Sequence, residues 1–246
     1  MMRVTRVLVP IAIATTVLAG CGGQADTGNP APSAVATSSS PTTNGVADLA
    51  AEEILTKAIA ALKKAGSFQF KGDMVNNGEK MSLDLKVQGD NLLGSITMQE
   101  TTLHLLSVDG ELYFKADESF WQQSVGAEGK VIAQLLGDKW AKISPDDKGF
   151  ADFFKIADPE ELLKSDGTAI TKGETKDIDG VPAIALTSSD QSRLYVATEG
   201  EPYPLLMEGP DGEGQAVFSG FGSSFDGLTK PAANEFIDFS KLTSGK

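Results

Sequence analysis

The chain has little of what reactive centres are built from. It holds one cysteine, Cys21, and one histidine, His104, in 246 residues. No intramolecular disulfide can therefore form. Any Ser/His/Asp triad would have to use His104, and a multi-histidine metal site is excluded. The carboxylate pairs Asp146-Asp147 and Glu160-Glu161 are adjacent residues whose side chains point apart, the pattern of loops and helix starts. A two-carboxylate mechanism drawn from elsewhere among the 34 acids stays open. The glycines between Gly209 and Gly214 lack phosphate-loop spacing. Basic residues are scarce too: 21 against 34 acids leaves a net charge of -13, spread rather than blocked. Such a surface disfavours nucleic acid and offers no polybasic attraction to anionic lipid heads. No apolar run reaches the ~18–20 residues needed to span a bilayer. Membrane contact would have to come from an acyl anchor and apolar surface.

What is present at the N-terminus points that way. Arg3 and Arg6 precede an apolar stretch from Val7 to Leu18, and Leu18-Ala19-Gly20-Cys21 closes it. This resembles a bacterial lipoprotein processing site, with residues 1–20 as signal peptide and Cys21 as the acceptor of a thioether-linked diacylglycerol. The bland alternative is a plain signal peptide followed by an incidental cysteine. Two acyl chains hold a protein stably on a membrane where one does not. The expected location is therefore the extracytoplasmic face of the cell membrane. Residues 21–47 continue as a Gly/Pro/Ser/Thr-rich stretch with too little apolar content to offset ordering, so a disordered tether is expected. As a coil its roughly 26 residues span about 25–30 Å root-mean-square. It is either an unmodified spacer or an O-glycosylated one.

Residues 48–246 have the length of one domain with a sizeable core. Asp48 can cap a helix in which Ile54, Leu55, Ala58, Ile59 and Leu62 recur at helical spacing, with Lys63 and Lys64 near its end and Gly66 to stop it. The period then changes to two, as in Met81-Ser82-Leu83-Asp84-Leu85-Lys86-Val87. Strands are predicted near 68–71, 81–88, 91–100, 101–108, 111–116 and 139–143, and again near 168–177, 183–188, 193–198, 205–208 and 214–220. Asn76-Asn77-Gly78, Asp109-Gly110, Asp179-Gly180 and Asp211-Gly212 supply turns. Between the two strand groups lie helical pieces at Lys130–Leu136, around Phe150, and from Asp158-Pro159, where Asp158 caps and Pro159 fits the first turn. A long antiparallel meander with helices covering one face is an α+β arrangement. If the sheet curls, its concave face and those helices enclose an apolar interior.

The order of parts carries a resemblance: lipoprotein site, tether, helix, meander, aromatic helical middle, second meander. So do Asp179-Gly180-Val181-Pro182, Leu194-Tyr195-Val196, Tyr203-Pro204-Leu205, Leu112-Tyr113-Phe114 and Lys139-Trp140-Ala141-Lys142. The chain is similar to actinobacterial lipoproteins of the LppX/LprG group and, more distantly, to the LolA and LolB lipoprotein carriers. The resemblance implies a single strongly curved antiparallel sheet, an open half-barrel, with helices over its concave face. It also implies a cavity for acyl chains of envelope lipids or glycolipids and transfer without covalent chemistry; an envelope transport partner stays open, and no cofactor is expected.

A carrier needs a dry groove, because each exposed methylene costs ~0.8 kcal/mol. Candidates for its lining are Leu83, Leu85, Val87, Ile96, Met98, Leu103, Leu105, Leu112, Phe114, Ile132, Leu135, Leu136, Phe150, Phe153 and Phe154. Ordinary core packing is the competing reading for each. Phe150, Phe153 and Phe154 fall at i, i+3 and i+4, either core or a lid over the groove mouth. His104 lies opposite Leu103 and Leu105 and is expected to be solvated or satisfied in the core. The expected protein is a monomeric, non-catalytic lipid carrier. The alternatives are a lipoprotein scaffold or LolA/LolB-like chaperone with a solid core and no lipid cargo of its own, and an unrecognised hydrolase.

Overall fold

The computed structural model describes residues 42–239 apart from 77, 100 and 165–168. The signal peptide, Cys21 and most of the tether lie outside the described residues, as do Asn77 of the first turn and Thr168 of the seventh strand. The folded body begins before residue 48. Thr43 bridges Glu199, the Asn44 amide donates to the Ala197 carbonyl at 3.0 Å, and Val46 is buried in a 3₁₀ turn, Val46–Asp48.

Helix α1 (Ala51–Ala65) follows. The position before it is Ala50, whose N–H donates to the Glu53 carboxylate at 3.2 Å, so Asp48 is not the cap. Gly66, at φ 72°, ends the helix as the spacing predicts. Strands β1 (Ser67–Asn76), β2 (Glu79–Gln88), β3 (Asn91–Met98), β4 (Thr101–Val108) and β5 (Glu111–Ala116) form the first meander. Helices α2 (Glu118–Val125) and α3 (Gly129–Leu136) lead to β6 (Trp140–Ile143). Two short helices, α4 (Lys148–Ala151) and α5 (Pro159–Leu162), flank a 3₁₀ segment, Asp152–Ala157. Phe153 and Phe154 therefore sit in the 3₁₀ segment and not on one helical face with Phe150. Strands β7 (Thr171–Ile178), β8 (Val181–Thr187), β9 (Arg193–Ala197), β10 (Pro204–Glu208) and β11 (Gly214–Ser219) make the second meander, while β12 (Phe236–Asp238) pairs with β6 at the far edge of the sheet.

All twelve strands belong to one curled, unclosed sheet in the order β12-β6-β5-β4-β3-β2-β1-β11-β10-β9-β8-β7. Its pairs are antiparallel except β12 with β6. This is the α+β open half-barrel that the meander and its helices imply. Tight turns hold it where the sequence places them. Asp109-Gly110 and Asp179-Gly180 take positive φ at both residues, which short side chains and glycine tolerate.

Register explains which face is buried. Phe218, Phe70, Leu85, Gly94, Leu105, Phe114 and Ala141 are successive partners across seven strands. All but half-buried Gly94 are buried. One residue along, Lys71, Asp84, Ser95, His104 and Lys115 form the outward row, with Lys71 and Asp84 paired at 2.6 Å. His104 is thus exposed, as expected. Gly94 permits a close approach of β3 to β2: a Cβ there would lie 2.3 Å from the Asp84 carbonyl oxygen and 2.8 Å from the Leu85 Cα. Only glycine lets neighbouring strands cross that closely.

The outer face carries a second cluster, where Leu106, Val108 and Tyr113 pack with Trp140 and Phe236. Beside it Glu111 accepts from Lys142 at 2.5 Å, Tyr113 at 2.8 Å and Lys230 at 3.2 Å, tying β5 to β6 and to the C-terminal segment. Those bonds, Lys142 first, hold the Glu111 carboxyl down at about 2 against its ordinary 4.5. A depressed carboxyl contributes stability that is complete above its unfolded pKa and is lost as pH falls through the folded one. Glu111→Gln is therefore expected to flatten the dependence of the denaturation midpoint on pH between about 4.5 and 2. An unchanged slope in that window contradicts the assignment.

Candidate lipid-binding cleft

The row containing Leu83 shows where the interior is filled and where it is open. Leu103, Ile96, Leu83, Gly72, Ala216, Met207, Leu194 and Leu186 are successive partners from β4 to β8. At the β4 end the row is closed over. Leu85, Leu103, Leu105 and Phe114 are 0 % exposed, so no water-sized void touches them. Their cover is aromatic: Phe114 meets Phe120, Trp121 and Phe150 at centroid distances of 5.1, 5.4 and 5.3 Å, and Trp121 stacks on Phe239. Trp121 Nε1 is buried there with no hydrogen-bond partner among the described residues.

At the β8 end the same row floors an open cleft of about 360 Å³. Leu186, Leu194 and Met207 supply the floor, Leu55 of α1 one wall, and Leu162, Leu163 and Ile170 the other. The mouth is polar, with Lys164, Ser188, Asp190, Ser192 and Arg193. Asp190 is fixed in the β8–β9 turn: it accepts from the Ser188 hydroxyl, from Ser192 N–H at 3.1 Å and from the Ser192 hydroxyl at 3.0 Å. These bonds, Ser188 first, lower its carboxyl below the ordinary range. The mouth therefore carries an anion, two cations and two hydroxyls around an apolar throat.

A second cleft, of about 450 Å³, opens on the other side of α5. Leu62, Phe68, Val87 and Phe154 line its apolar part, and Lys63, Asp90 and Asp158 its rim. Helix α5 stands between the two: Pro159 lines one cleft and Leu162 the other. Asp158 caps it by accepting from Glu160 N–H at 2.8 Å, and Glu160 bonds Lys63 of α1 at 2.5 Å. That bond raises the Lys63 ammonium above its ordinary range. Both volumes fall in the size class of small-molecule sites, ~300–1,000 Å³.

Of the residues the alternation singles out, Val87 and Phe154 line the second cleft and none lines the first. Leu83, Leu85, Ile96, Leu103, Leu105, Leu112, Phe114 and Leu136 are buried core, with Met98, Ile132, Phe150 and Phe153 half-buried against them. Leu135 faces outward at 55 % exposure, so it lies outside the interior. The first cleft's floor carries no alternation signal: Leu186 and Leu194 sit in continuously apolar strands, Ala183-Ile184-Ala185-Leu186 and Leu194-Tyr195-Val196-Ala197, and like Leu85 they are buried. Only the element opposite distinguishes them. Among the described residues no cluster of three His, Cys, Asp or Glu side chains could hold a metal, and no helix is long and apolar enough to cross a membrane.

No family model and no curated protein sequence matches the chain. Among solved structures, an uncharacterized conserved protein from Thermus thermophilus is similar over 76 % of this chain and 98 % of its own. The identity is 11 % and the TM-score 0.40.

Proposed function

We propose that this chain is a membrane-tethered envelope lipoprotein of LppX/LprG-like type. It holds acyl chains of a lipid or glycolipid in the cleft between α1, α5 and strands β8 to β10, and it carries them without covalent chemistry. The observation behind this reading is the cleft itself: an apolar throat of about 360 Å³ with a polar mouth, on the concave face. An acyl chain entering it leaves water, worth ~0.8 kcal/mol per buried methylene. The polar mouth suits a headgroup that stays hydrated. The separate 450 Å³ cleft across α5, with Leu62, Phe68, Val87 and Phe154 in its lining, is the place this reading offers a second chain. Cys21 and the residues after it supply the tether in this reading.

The test is the mass of the full chain carrying Cys21→Ala, measured under non-denaturing conditions. A carrier is expected to retain one lipid equivalent that denaturation releases. Bare polypeptide mass after purification from lipid-replete cells overturns the carrier reading and leaves a scaffold.

A further inference from the structure

We propose that the α2–α3 hairpin is a second membrane contact, inserting shallowly into the lipid surface beside the acyl anchor. This rests on the carrier reading above and adds the surface by which the body meets the bilayer. Large apolar side chains that remain exposed are few among the described residues: Val125 at 40 %, Val131 at 66 %, Leu135 at 55 % and Val217 at 38 %. Three of the four belong to this hairpin. Scattered exposed apolar residues are ordinary, but several gathered on one element form a patch that looks for a partner. Val131 and Leu135 are four apart on α3 and share one face, while Leu136 turns inward.

The support beneath them is rigid. Gly129, at the start of α3, approaches the α2 backbone so closely that a Cβ would lie 2.3 Å from the Trp121 carbonyl carbon and oxygen. Trp121 is itself locked among Phe114, Phe120, Phe150 and Phe239. The outward valines and leucine are therefore carried on closely packed helices whose inward side is already occupied by Trp121 and Leu136.

Two observations choose lipid as the occupant. The first is reach: 21 residues separate Cys21 from Thr43, where the folded body begins to pair with Glu199. Even fully extended, that many residues reach no further than about 75 Å, so a body anchored at Cys21 as proposed above is confined near the bilayer and meets it at high effective concentration. The second is charge. From Glu118 to Lys139 the hairpin carries Glu118, Glu128 and Asp138 against Lys130 and Lys139, near neutral in a chain of net charge -13. Little of the acidic repulsion from lipid heads falls on this patch, and the stems of Lys130 and Lys139 can lie along the interface with their ammonium groups in water.

The experiment is co-sedimentation of the full Cys21→Ala chain with phosphatidylcholine vesicles, and with vesicles containing one-third phosphatidylglycerol. The chain is expected to bind the neutral vesicles, and the variant Val131→Asp/Leu135→Asp to bind at least about tenfold more weakly. Val131→Ser/Leu135→Ser, which adds no charge, should weaken binding in the same direction. Both sites are exposed, so the circular dichroism spectrum and Tm should not move. Failure of the parent to bind, or equal binding by both variants, overturns the proposal. So does a parent that self-associates through this face, shown by a dimer in sedimentation that the substitutions dissolve without changing vesicle binding. Retained lipid is measured on the same samples. Lipid without vesicle binding removes the docking surface alone, and vesicle binding without lipid removes the carrier reading alone.

Discussion

Cys21→Ala is expected to transfer the protein from the membrane fraction to the soluble fraction almost completely. If Cys21 carries two acyl chains, as proposed, a dozen or more methylenes in each, at ~0.8 kcal/mol per methylene, would contribute roughly 10 kcal/mol per chain to membrane retention. Among the described residues nothing approaches that, since no helix there is long and apolar enough to cross a membrane. The α2–α3 patch adds three partly exposed side chains, enough for a reversible contact and far too little for stable anchoring. The substitution also extends the small-residue run of Ala19 and Gly20 by one position, the kind of sequence at which an ordinary secretory signal is cut, so export should continue. Fractionation followed by immunoblotting reads the result. A membrane fraction unchanged by Cys21→Ala contradicts the anchor.

Substitutions in the cleft and in the filled core are expected to separate binding from stability. Leu194 floors the 360 Å³ cleft, so Leu194→Trp places bulk in space that is already open. Its effect on stability should stay below the roughly 1–3 kcal/mol that overpacking a closed core costs. Lipid binding should fall at least about tenfold, the equivalent of 1.4 kcal/mol. Leu55→Trp, filling the same cleft from α1, should do likewise. Leu105→Ala acts in the opposite way. Its site is 0 % exposed beside its cross-strand partner Phe114, so truncation leaves a cavity and costs about 2–5 kcal/mol, with binding intact at temperatures where the protein stays folded. Tm and lipid content measured on all three variants check the contrast. Equal losses of both properties in every variant would mean that cleft and core are not distinct.

Much of this fold is legible in the chain because local chemistry fixes it. Gly66 stops α1, Asp158 caps α5, and the Asp-Gly pairs at 109–110 and 179–180 make tight hairpins, each through a constraint of one or two residues. Alternation in β2 to β5 assigns the inward side correctly. Elements whose stability comes from distant partners are less visible. Helix α2 shows only Phe120, Trp121 and Val125 as apolar positions, too few to establish a period, yet Asp117 caps it by accepting from Phe120 N–H at 2.9 Å. Strand β12 is three residues long and forms by docking parallel to β6, a pairing that no local pattern encodes.

The position of the hollow was invisible for a related reason. Leu85 sits in the alternating strand β2 and Leu186 in the continuously apolar β8, and both side chains are inward and buried. Leu85 is covered because an aromatic cluster from α2 and α4 fills the space over the first meander. Leu186 borders a cleft because the elements over the second meander, α1 and the four-residue α5, leave a gap between them. Periodicity reports which face is inward, whereas the bulk of what arrives opposite sets whether that face is filled.

The most direct test is titration of the delipidated, full-length Cys21→Ala chain with a fluorescent fatty acid, alongside Leu194→Trp and Leu55→Trp on the same background. Saturable one-site binding by the parent, lost in both tryptophan variants while their melting curves stay close to the parent's, is the predicted result. Absence of saturable binding in the parent, or binding that both variants retain in full, contradicts the assignment of this cleft to acyl chains.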